Sequence, residues 1–177
     1  MNNTAFVKRA MLCAGAVVGM AALFFTLGYR YNLSQSYPTG IYKLATPNTA
    51  YKLGELVLFC PPNNAAMALA LSRNYIKIGT CDGGFTPVVK KIFAIAGDKV
   101  TQHDGLVHIN GTVIENAQIL KFDALQRQLP TFSPHRLAEN EFFMMSDHRP
   151  IDSFDSRYYG AVKQGNIIGH IEPVWTW

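Results

Sequence analysis

The 177-residue chain has only three cysteines and no C-x-x-C pair, and its five histidines do not fall at ligand spacing. That excludes a disulfide-dense scaffold and argues against a structural metal site. Charged residues make up 16% of the chain against 49% hydrophobic, so it is not a disordered polymer. No internal repeat and no low-complexity tract occurs. Acidic residues are absent from residues 1–30, where Lys8, Arg9 and Arg30 stand alone. Setting these three aside leaves 13 basic against 12 acidic residues, so the formal +4 belongs to the N-terminus and not to a nucleic-acid-binding face.

What stands between those charges is a long apolar run. Ala10 to Gly28 is 19 residues without a charge, about 29 Å as a helix and close to the thickness of a bilayer core. Phe24, Phe25 and Leu27 leave it no polar face, as a buried helix of a soluble domain would need. A cleaved secretory signal is the competing reading, but the run is too long and ends in Leu27-Gly28-Tyr29, a poor cleavage site. The segment therefore reads as an uncleaved anchor. Residues 1–9 are expected in the cytoplasm, 10–28 in the membrane, and 31–177 outside as one domain, with Tyr29 and Tyr31 at headgroup level.

Beyond the anchor, short β-type runs recur at 56–59, 88–96, 106–109, 112–114, 141–145 and 166–171. Asp104-Gly105 and Asn110-Gly111 lie between apolar residues, a strong hairpin signal. Only 65–73 has a helical pattern. The expected fold is mainly β, an antiparallel-sheet domain preceded by one transmembrane helix. Cys60 and Cys81 bracket the helical stretch. In an oxidising compartment they could close the 60–81 excursion as a disulfide; two unpaired buried thiols are the alternative.

Three stretches carry chemistry-bearing residues. Ser34-Gln35-Ser36-Tyr37-Pro38-Thr39-Gly40 is a polar turn just past the anchor. In Val88 to Asp98, strand alternation puts Lys90 and Lys91 on opposite faces that are both apolar, so at least one lysine points into a desolvated environment. Desolvation lowers an ammonium pKa and makes the amine a usable base; edge-strand lysines that deter aggregation are the plainer reading. The third stretch is Ser146-Asp147-His148-Arg149 followed by Ser153-Phe154-Asp155-Ser156-Arg157-Tyr158-Tyr159-Gly160. Here Asp155 and Arg157 would share a face if extended and could pair. Nothing local orients His148 toward Ser36, so a Ser-His-Asp triad is set aside.

Taken in order, these parts resemble the type I signal peptidase family, membrane-anchored serine proteases with a Ser/Lys dyad: anchor, Ser-x-Pro segment, Gly54-Glu55-Leu56-Val57, Lys90 before Gly97-Asp98, the Asn110-Gly111 hairpin, and Ser153-x-Asp155-Ser156-Arg157-Tyr158-x-Gly160. The resemblance implies Ser36 as nucleophile and Lys90 as general base. It implies Ser34 hydroxyl with the Ser36 N–H as oxyanion hole, and Ser153, Asp155 and Arg157 as support. Lys91 stands where the family often has arginine. Ser36-Tyr37-Pro38, Ser146-Asp147-His148 in place of Gly-Asp-Asn, the single anchor and the 60–81 excursion look like the TraF branch, which matures pilin precursors for conjugative transfer. Some members of that branch also close the pilin into a ring.

By this resemblance no metal or cofactor is needed. The partners are a pilin precursor or another signal-peptide-bearing protein, the lipid bilayer of the bacterial inner membrane with the domain on its periplasmic side, and type IV secretion components. Nucleic acid is not among them. General processing of secretory precursors and a non-catalytic scaffold of a secretion machine stand as the alternatives.

Overall fold

The computed structural model describes residues 3–45 and 50–177. Helix α1 (Asn3–Thr26) starts earlier and ends sooner than the 10–28 segment expected. Its Phe6–Thr26 part is long and apolar enough to cross a membrane, and is exposed along its length. The helix stops because Gly28 takes φ 87° and its N–H turns back to the Phe25 carbonyl. Gly28 O then accepts from Leu44 N at 2.8 Å, so the chain passes from helix to sheet without a linker.

Among the described residues eleven strands follow: β1 (Tyr29–Asn32), β2 (Gly40–Leu44), β3 (Leu56–Phe59), β4 (Val88–Ala94), β5 (Lys99–His103), β6 (Leu106–Ile109), β7 (Thr112–Gln118), β8 (His135–Arg136), β9 (Glu141–Met145), β10 (Val162–Lys163) and β11 (Ile167–Thr176). A seven-stranded sheet runs β1-β2-β11-β3-β4-β9-β10 and a four-stranded sheet β7-β6-β5-β8, with every pairing antiparallel. The domain is mainly β, as its alternation and turn signals predict. Both hairpin dipeptides take positive φ at each residue, Asp104-Gly105 at 51° and 75° and Asn110-Gly111 at 53° and 84°. That is the geometry whose twist matches the flanking strands.

Strands β3, β6 and β9 fall where their apolar runs predict. β1, β5 and β8 are at least half polar and do not stand out, while β2 (Gly-Ile-Tyr-Lys-Leu) directly follows the Pro38–Gly40 turn and β10 is only two residues long; their partners define them. β4 stops at Ala94 and not at Ala96, because Asp98 Oδ2 accepts from Ile95 N and starts a turn. Helix α2 (Ala65–Ser72) is capped by Asn64, whose side chain accepts from Met67 N. The disulfide Cys60–Cys81, Cα atoms 5.4 Å apart, closes the excursion that contains it. One short helix escapes the periodicity altogether, α3 (Ser156–Tyr159), capped by Asp155.

Apolar side chains gather in three clusters. The largest joins Val57, Phe59, Ile92 and Met144 of the large sheet to Met67 and Ala70 of α2. A second, around Val100, Val107, Phe132 and Phe143, packs beneath the small sheet. The third, Tyr37, Tyr42, Val89 and Ile171, lies under the turn between β1 and β2. β4 runs between β3 and β9, with Lys90 opposite Val57 and Lys91 opposite Met145. Residues that follow Met145 therefore emerge beside the two lysines.

Candidate active site

The turn between β1 and β2 carries Ser34 and Ser36. Its shape is set by Asn32, a largely buried residue that sequence inspection passed over. Asn32 Oδ1 accepts from both Ser34 N (3.0 Å) and Ser34 Oγ (2.7 Å), while its amide donates to the carbonyls of Tyr37 and Pro38, each at 3.1 Å. An Asn two residues before a Ser is an Asx-turn pattern, the available signal for it. Tyr42 hydroxyl donates to the Pro38 carbonyl as well, at 2.7 Å. The turn is thereby held from inside and from β2.

Lys90 reaches this turn from the middle of the large sheet. Its Nζ donates to Ser36 Oγ at 2.6 Å and to Ser153 Oγ at 2.7 Å. The residue is 2% exposed. Burial lowers its pKa from 10.5 to about 8, the Arg157 charge acts in the same direction, and Asp155 opposes both. Lys91, on the other face, keeps its side chain one-third exposed and pairs with Asp147. Alternation thus separates the two lysines as expected, one inside and one at the rim.

Behind Lys90 lies a buried ion pair. Arg157 and Asp155 are joined by Nε–Oδ1 and Nη2–Oδ2 contacts of 2.8 Å each, with side-chain exposures of 1% and 0%. The pair does not form in an extended strand, as i and i+2 spacing suggested. Asp155 caps α3, accepting from Arg157 N at 3.2 Å, and Arg157 turns back to it from the first turn. Arg157 spends its remaining donors on the carbonyls of Gln118 (2.7 Å), Pro150 and Ser153 (3.2 Å). The last of these holds the backbone of the residue that hydrogen-bonds Lys90. A bidentate guanidinium that also donates to three backbone carbonyls meets the condition under which buried charge is tolerated.

The loop after β9 touches the other side of Ser36. Ser146 Oγ donates to the Ser36 carbonyl at 2.6 Å, and Tyr37 hydroxyl donates to Asp147 Oδ1 at 2.8 Å. Burial, together with the Asp147 hydrogen bond and charge, holds the Tyr37 phenol well above its usual pKa and protonated. For Asp147 burial works upward, but its bonds to Lys91 and Tyr37 outweigh it and keep the carboxyl below its usual value. His148 stacks on Tyr37 with centroids 6.3 Å apart. Among the described residues no cluster of His, Cys, Asp and Glu could hold a metal ion.

Residues that the sequence places in three separate stretches therefore meet at one point: Ser36, Lys90, Ser153, and the Asp155–Arg157 pair behind them. Ser34 is in the same turn, with its hydroxyl committed to Asn32. Chemically, a neutral Lys90 amine can accept the Ser36 proton while donating to Ser153, which is the arrangement an amine base requires.

Residues 4–177 match the family model described as signal peptidase, peptidase S26. A plasmid transfer protein TraF of Escherichia coli is 33% identical over 172 residues, 96% of each chain. A conjugal transfer protein TraF of Agrobacterium tumefaciens (strain 15955) is 33% identical, covering 96% of this chain and 97% of the relative. A probable signal peptidase I-1 of Synechocystis is 26% identical, over 93% and 80%. A crystal structure of a signal peptidase I from Enterococcus faecalis aligns with TM-score 0.41 and 21% identity, covering 69% of this chain and 97% of that one.

Proposed function

We propose that this chain, which belongs to the signal peptidase family, peptidase S26, is a membrane-anchored serine endopeptidase that removes the leader of a pilin precursor for conjugative transfer. The observation that carries the reading is the 2.6 Å approach of Lys90 Nζ to Ser36 Oγ, with the lysine buried. The conjugative assignment rests on the relatives named TraF. Residues 1–9 lie in the cytoplasm, 10–28 cross the bacterial inner membrane, and 31–177 work on the periplasmic side, where Cys60–Cys81 can form.

In this mechanism neutral Lys90 takes the Ser36 proton as Ser36 Oγ attacks the carbonyl before the cleavage site. The oxyanion is met by the Ser36 N–H and by the Ser34 hydroxyl, which leaves Asn32 to reach it. Each such donor contributes about 3 kcal/mol in comparable sites. Lys90 then protonates the leaving amine, and water resolves the acyl-enzyme. Where the bond cut lies before a C-terminal tail, the tail leaves as the amine and the acyl-enzyme carries the pilin body; attack by the pilin's own N-terminal amine in place of water would then release a ring. No cofactor takes part, and type IV secretion components would receive the product.

General processing of secretory precursors uses the same groups on other substrates. A non-catalytic scaffold has no use for Lys90, whose burial costs stability below pH 8 and which a methionine would fill more favourably. Candidate pilin precursors incubated with the wild type, Ser36→Ala and Lys90→Ala, read by mass, test the reading. Cleavage by the wild type alone is expected, the product one water lighter if cyclic. Full cleavage by Lys90→Ala without added amine would sink the dyad.

A further inference from the structure

We propose that Tyr37 is a positioning residue for the nucleophile, tying the Ser36 turn to the loop after β9 through its phenol; this rests on Ser36 and Lys90 being the reacting pair. Ser36 occupies an irregular turn, not a strand, and its neighbours Leu33, Ser34 and Gln35 are exposed. Lys90, by contrast, is fixed by strand pairing on both sides of β4. The distance between the reacting atoms is therefore decided by what restrains the turn.

On the Tyr37 side, the ring is buried against Tyr42, Val89 and Ile171, while its hydroxyl reaches Asp147 at 2.8 Å. Asp147 is held in turn by Lys91, the residue next to Lys90, and its neighbour Ser146 donates to the Ser36 carbonyl. His148 covers the outer face of the Tyr37 ring. The phenol thus closes a circuit in which the nucleophile's backbone and the base's neighbouring side chain are referred to one stretch of that loop, Ser146-Asp147-His148. A misplacement of about 1 Å between reacting groups is costly in rate, so loss of this one bond shows in the chemical step.

Tyr37→Phe keeps the buried ring and removes only the oxygen. The full-length protein in detergent micelles is compared with this variant in two ways. With a leader-bearing precursor that the wild type cleaves, kcat is expected to fall about fivefold with KM unchanged, while the melting temperature drops only by the roughly 2–4 °C that loss of one net hydrogen bond brings. Independently of any substrate, reductive methylation by formaldehyde and borohydride, read by peptide mass, is expected to be faster at Lys90 and unchanged at exposed Lys99. Unaltered kcat, or a change confined to KM, overturns the proposal, as does an unaltered labelling rate at Lys90. A precursor left intact by the wild type counts against the peptidase reading, and the labelling then decides the positioning role alone.

Discussion

Lys90 Nζ stands between two hydroxyls, 2.6 Å from Ser36 Oγ and 2.7 Å from Ser153 Oγ, and among the described residues no carboxylate is hydrogen-bonded to it. A carboxylate partner would hold the ammonium charged. Two neutral acceptors do not, so burial sets its titration. Asp155, the acid that acts on Lys90 from behind, is already engaged by Arg157.

The first prediction is the pH dependence of cleavage. In the proposed mechanism the reactive form is the neutral amine, and burial lowers the Lys90 pKa to about 8. Below that value kcat/KM should rise roughly tenfold per pH unit, then level above it. The same shift acts on folding. The folded chain binds fewer protons than the unfolded one between about 8 and 10.5, so stability rises with pH through that window. Initial rates from pH 6 to 10 and urea unfolding at two pH values check both statements, and in Lys90→Met the lysine's contribution to that rise is lost.

Asp155→Asn removes the charge that opposes the lowering of the Lys90 pKa. The acid limb of the rate profile should move to lower pH, while the uncompensated Arg157 costs about 3–5 kcal/mol of stability. A profile that shifts upward would contradict the electrostatic assignment. Melting and rate measurements on the same preparation separate the two effects.

Cys60 and Cys81 are 21 residues apart in sequence. Restricting a loop of that length in the unfolded chain stabilises the fold by about 3 kcal/mol. The Cys60→Ser, Cys81→Ser double variant should therefore unfold at lower urea with cleavage retained in the cold. Reduction of the wild type should reproduce the shift, and a reductant should leave the variant where it was.

Gly40 opens β2 at φ 155°, and a Cβ there would meet Trp175 O at 2.2 Å and Thr176 Cα at 2.7 Å. Gly40→Ala must push β2 off β11, four residues from Ser36. Stability should drop by about 1–3 kcal/mol, the cost of a residue held in a disfavoured region, and cleavage should fall with it. Hydrogen exchange at Ala45, whose N–H donates to His170 O of β11 at 2.8 Å, reports the lost pairing.

Much of this protein follows from local chemistry. The long uncharged run, the Asn-Gly and Asp-Gly turns, the apolar strands β3, β6 and β9, and the burial of one of two adjacent lysines all depend on a few neighbouring residues and the periodicity of a helix or strand. The polar strands escaped notice because partners, not composition, make them strands. The Asp155–Arg157 pair was expected in the wrong conformation, since a cap at Asp155 bends the chain where an extended segment was assumed. What tertiary structure alone decides is distance. Ser36 and Lys90 are 54 positions apart, and Lys90 and Ser153 a further 63. No spacing rule relates them; the order β11-β3-β4-β9 does, because it lays Lys90 beneath the turn of one hairpin and beside the loop that follows β9.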